Sequence, residues 1–64
     1  MDAELVGSVW ESKRNGNRVR VLAAIPDELL GGWQCRVCNV DTGYSFRIHN
    51  HGLLQRYRQV KHRR

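Results

Sequence analysis

Residues 18 to 49 read Arg18-Val-Arg-Val-Leu-Ala-Ala-Ile25, Pro26-Asp-Glu-Leu-Leu-Gly-Gly32, Trp33-Gln-Cys-Arg-Val-Cys-Asn-Val40, Asp41-Thr-Gly43 and Tyr44-Ser-Phe-Arg-Ile-His49, and this stretch decides the fold. Three runs rich in β-branched and aromatic residues are separated by two segments that cannot continue a strand. Strand-like runs bounded by Gly, Pro, Asn and Asp spell an antiparallel meander. Arginine recurs at alternate positions, which predicts a sheet with one apolar face and one basic face.

The expected inward set on the second strand is Val19, Val21, Ala23 and Ile25, with Arg18 and Arg20 outward. Pro26 ends that strand because it has no N–H to give to a ladder. Residues 26 to 32 are expected to form a loop with at most one helical turn. On the third strand, Trp33, Cys35 and Val37 alternate with Gln34, Arg36 and Cys38. On the fourth, Tyr44, Phe46 and Ile48 point inward, with Ser45, Arg47 and His49 outward. The register between these two depends on whether Gly43 forms a bulge, since a slip of one residue exchanges the faces.

Working outward, residues 5 to 13 read as a first strand carrying Val6, Val9 and Trp10, with Gly7 at a bulge or bend. Asn15-Gly16 tolerates positive φ at both positions and predicts a tight hairpin, whose tip carries Lys13, Arg14 and Arg18. Beyond the stretch, Asn50-His51-Gly52 turns the chain, and residues 53 to 57 suit one 3₁₀ or α turn. Arg58 to Val60 would close the sheet, and residues 61 to 64 form a basic tail containing Lys61, Arg63 and Arg64.

The expected fold class is therefore all-β: a small five-stranded barrel spanning residues 5–60, with one short helical turn before the last strand. Gly7-Ser8-Val9-Trp10, Arg18-Val19-Arg20-Val21, Val37-Cys38-Asn39 with Thr42-Gly43, Phe46-Arg47-Ile48, and Leu53-Leu54 with Tyr57 give the chain a further likeness. It resembles small phage-encoded SH3-like barrel proteins of the KOW, Tudor and chromo-like kind. The resemblance implies the fold and carries no assigned biochemistry. SH3-like barrels serve RNA, DNA, peptide and methyl-lysine recognition alike.

Sixty-four residues suffice for one domain and bury only a modest core. Two cysteines are too few for a disulfide scaffold. The longest apolar run is the five residues Val21 to Ile25, so neither a signal peptide nor a membrane span is expected. A reducing cytoplasm is the expected compartment. Eleven Lys and Arg, nine of them arginine, against six Asp and Glu give a net charge of +5. Such a balance favours polyanionic partners, because neutralising phosphates releases counterions.

The cations expected to contact nucleic acid are Lys13, Arg14, Arg18, Arg20, Arg36, Arg47, Arg56 and Arg58, through phosphate and with low specificity. The competing reading is a solvated charged face. Trp10, Trp33 or Tyr44 could stack on unpaired bases if exposed; core is the expectation for Trp33 and Tyr44, while Trp10 stands open. Cys35-x-x-Cys38 and His49-x-His51 hold zinc-ligand residue types, but cysteines three apart on a strand face opposite sides. Neither metal nor cofactor is expected. No two acids are spaced for acid–base work, which predicts a non-enzymatic protein. The alternative function is a protein-interaction module that docks on and modulates a host or viral protein through Leu29 and Leu30 in the acidic loop. Homodimerisation through an open sheet edge is a third reading.

Overall fold

The computed structural model describes residues 5–60. The basic tail, residues 61 to 64, lies outside the described residues. Strands β1 (Val9–Ser12), β2 (Arg18–Pro26), β3 (Trp33–Asn39) and β4 (Ser45–His49) run as an antiparallel meander. Helix α1 (Asn50–Arg56) then carries the chain back so that β5 (Tyr57–Val60) pairs antiparallel with β1. The five-stranded sheet has the order β4-β3-β2-β1-β5 and is open, with β4 and β5 as its edges.

One device makes all three hairpins. Ser12, Asp27 and Asn39 each end or follow a strand, and each side-chain oxygen accepts two backbone N–H groups of its own turn. Ser12 Oγ takes Arg14 and Asn15, Asp27 Oδ1 takes Leu29 and Leu30, and Asn39 Oδ1 takes Asp41 and Thr42. Four residues on, Gly16, Gly31 and Gly43 donate to the carbonyls of the same capping residues at 3.0, 2.8 and 2.9 Å. Their φ angles of 79°, 79° and 81° reverse the chain where a β-carbon would be strained. The first hairpin is therefore not the two-residue Asn-Gly turn expected from sequence, because Asn15 keeps a negative φ.

The core is the inner face of the sheet closed by the helix. Trp10, Val19, Val21, Cys35, Val37 and Leu53 are buried, with Leu5, Ala24, Trp33, Phe46, Ile48 and Tyr57 packed around them. β3 and β4 alternate as expected, with Val37 opposite Phe46 and Cys35 opposite Ile48. β2 does not. The ladder pairs Val21 with Val37 but Ala23 with Arg36, leaving Leu22 as an extra residue in a bulge. Beyond it the faces exchange: Ala24 turns in against Cys35, and Ile25, expected inside, is 63% exposed.

At the N-terminal side, β1 begins at Val9 rather than residue 5. Leu5 is helical and Val6 and Gly7 form a turn instead, closed by the Ser8 N–H donating to the Leu5 carbonyl. The helix is longer than the single turn expected. It takes in Asn50, His51 and Gly52 because His49 Nδ1 accepts the His51 N–H at 3.1 Å and serves as N-cap. Seven residues make a helix too short to stand alone. Burial of Leu53 and the pairing of β5 hold it in place, and Tyr57 belongs to that strand rather than to the helix.

Candidate nucleic-acid interface

Directly opposed residues in an antiparallel sheet share a face. Counting outward from buried Val37 and Cys35, three rows cross β2, β3 and β4 on the outer face. They are Arg20–Cys38–Ser45, Ala23–Arg36–Arg47 and Ile25–Gln34–His49. Arg20, Arg36 and Arg47 are all exposed. The bulge at Leu22 is what puts Ile25 into this face, so an apolar side chain lies beside the cations. The rows enclose an open groove of about 530 Å³ lined by Ala23, Ile25, Pro26, Gln34, Arg36, Ser45, Phe46 and Arg47.

A second basic cluster forms where the first hairpin meets the helix end. Lys13 N–H donates to the Arg56 carbonyl at 3.0 Å. The cleft between them, about 620 Å³, is lined by Ser12, Lys13, Arg14, Asn15, Arg56 and Tyr57. Arg18 on β2 and Arg58 on β5 both stand opposite Glu11, on either side of β1. Among the described residues the one side-chain contact between a carboxylate and a basic group within 4.0 Å joins His49 Nε2 to Asp27 Oδ2. None of the eight cations singled out from sequence has a carboxylate within that distance among the described residues, and each is exposed.

The aromatic residues fall differently from expectation. Trp10 is 6% exposed, and its indole N–H donates to Ser8 Oγ at 2.8 Å, so its ring is sealed in the core away from any base. Trp33 is half-buried against the same core, with its backbone N–H held by Asn50 Oδ1. Tyr44, expected inside, is 69% exposed. It keeps the inward alternation of Phe46 and Ile48 but lies beyond the end of β4, where no core residue covers it. Its ring stacks on Phe46 with centroids 6.0 Å apart and planes 28° from parallel.

Cys35 and Cys38 lie on opposite faces of β3. Burial pushes the Cys35 thiol up, which keeps it protonated at neutral pH. Cys38 shares the outer face with Arg20 and Ser45. His49 Nε2 contacts the Gly31 carbonyl at 2.6 Å while Nδ1 accepts from His51, which places the ring proton on Nε2. Among the described residues no three His, Cys, Asp or Glu side chains gather closely enough to hold a metal ion. No helix of the described residues is long and apolar enough to cross a membrane.

Comparison with family models, with curated proteins and with solved structures finds no match for this chain.

Proposed function

We propose that this protein is a small, non-enzymatic accessory protein that binds nucleic acid through phosphate contacts on its outer sheet face. Arg20, Arg36 and Arg47 form the centre, Arg18 extends it along β2, and Lys13, Arg14, Arg56 and Arg58 add charge around the hairpin tip and β5. The observation that carries this reading is Arg36 directly opposite Arg47, with no carboxylate within 4.0 Å of either among the described residues. Like charges directly opposed across a ladder destabilise a sheet, and a bound phosphate chain relieves that cost. The guanidinium fork suits phosphate oxygens through paired hydrogen bonds. Contacts of this kind position a polyanion without reading its sequence, so specificity is low. Within the same proposal the open sheet curls into an SH3-like barrel, like the phage-encoded proteins the sequence resembles, and the free cysteines suit a reducing cytoplasm.

Fluorescence anisotropy with short single-stranded and duplex DNA and RNA at several salt concentrations tests the proposal. Binding that falls steeply as salt rises is expected. No binding at low salt would leave the arginines as solvated surface and reject it.

A second reading is favoured by Leu29 and Leu30, which are 96% and 77% exposed on a turn made rigid by Asp27. Two leucines held out in this way suit insertion into an apolar pocket of a host or viral protein. If Leu29→Ser with Leu30→Ser leaves capture of such a partner intact, this reading fails.

A further inference from the structure

Phe46 belongs to two surfaces at once. It lines the outer groove with Ile25, Arg36 and Arg47, and its ring stacks on exposed Tyr44. Phe46 therefore links the groove lining to the Tyr44 ring past the free edge of β4. Cationic side chains stand on the groove side of that path, and an uncovered aromatic stands at its far end. We infer that this path takes an unpaired stretch of nucleic acid, with phosphates on Arg36 and Arg47 and a base stacked on Tyr44. The inference rests on the phosphate-binding reading above and narrows it to single strands.

Three physical points select a single strand. Duplex DNA keeps its direction over about 150 base pairs, so it cannot turn round one sheet edge of a molecule whose largest extent is 32 Å. A single strand bends at every nucleotide. The groove volume of about 530 Å³ falls in the range of small-ligand sites, enough for a base beside its phosphate. Finally, Tyr44 offers a face that duplex bases, already stacked, cannot use, whereas stacking on an aromatic side chain is open to any unpaired base.

The test compares a short single-stranded DNA with an abasic strand of the same length and charge, using the parent protein, Tyr44→Ala and Tyr44→Phe. Circular dichroism and thermal melting confirm that the variants are folded. The parent is expected to bind the base-bearing strand about 5- to 150-fold more tightly than the abasic one, the range set by one stacked base. Tyr44→Ala is expected to erase that preference and Tyr44→Phe to keep it. If both strands bind the parent equally, with strong salt dependence, the base-stacking path is overturned while the arginine face stands. A preference that survives Tyr44→Ala overturns the role of Tyr44. If neither strand binds at low salt, both readings fall.

Discussion

The backbone N–H of Trp33 donates to Oδ1 of Asn50 at 2.9 Å, joining the first residue of β3 to the first residue of the helix. Gly32 lies beneath this bond. A β-carbon at that position would sit 2.5 Å from Asn50 Oδ1 and 3.0 Å from the His49 ring, on a residue whose φ is +73°.

Gly32→Ala is therefore expected to destabilise the fold more than Gly43→Ala. The second substitution meets open space and bears only the conformational cost of a positive φ, about 1–2 kcal/mol. Urea denaturation of the two variants checks the order. Equal losses would mean that the Asn50 contact adds nothing.

Leu53 is fully buried, whereas Leu54 is 54% exposed on the same helix. Leu53→Ala is expected to cost about 2–5 kcal/mol, a large share of what so small a domain can hold. Leu54→Ala should stay within about 0.5 kcal/mol of the parent. Thermal melting monitored by circular dichroism separates the two.

Asp27 gives the fold an acid-side dependence. The Leu30 N–H and then the Gln34 side-chain amide hold its carboxyl below the usual carboxylate value of 3.8, against an opposing effect of burial that outweighs the weaker help of the Leu29 N–H or the His49 ring taken singly. A carboxyl depressed on folding contributes stability that is complete above its unfolded value and is lost as pH falls through the folded one. The parent should thus lose more stability than Asp27→Asn between about pH 5 and pH 2. Parallel melting curves over that range would contradict this role for Asp27.

Arg36 and Arg47 set stability against binding. Because they stand directly opposed, Arg47→Gln is expected to raise stability by about 0.2–1 kcal/mol at low salt, with the gain shrinking as salt screens the pair. Chemical denaturation at two salt concentrations reads the difference. A loss of stability would show that the Arg47 stem packs more than its charge repels.

Much of the meander was legible in the sequence because strand alternation and loop breakers agree from Trp33 to His49. The turns were harder. Asn15-Gly16 looks like a complete two-residue turn, yet the Ser12 hydroxyl captures two N–H groups and draws the chain through a longer loop. The usable signal was the spacing itself: Ser, Asp or Asn with glycine four residues on, repeated at Ser12, Asp27 and Asn39. The bulge at Leu22 left no mark, since Val21 to Ile25 contains no glycine and reads as uniform strand. That bulge is what brings Ile25 into the basic groove. Tyr44 shows a different limit: alternation gave its direction correctly, but exposure depends on how far the core extends, which only the packed structure defines. The arginine face was the most readable part of the site: alternation turns Arg20, Arg36 and Arg47 outward on their strands, and the observed register then sets Arg36 opposite Arg47 with Arg20 in a neighbouring row.

The proposed role of that face is read from the salt dependence of single-stranded DNA binding, compared between the parent and Arg36→Gln with Arg47→Gln. Each phosphate contact contributes about 0.7 to the slope of log K against log salt for single strands. The double variant should therefore bind more weakly and show a slope shallower by about 1.4. An unchanged slope and affinity would mean that the phosphates lie elsewhere and that Arg36 and Arg47 do not form the binding face.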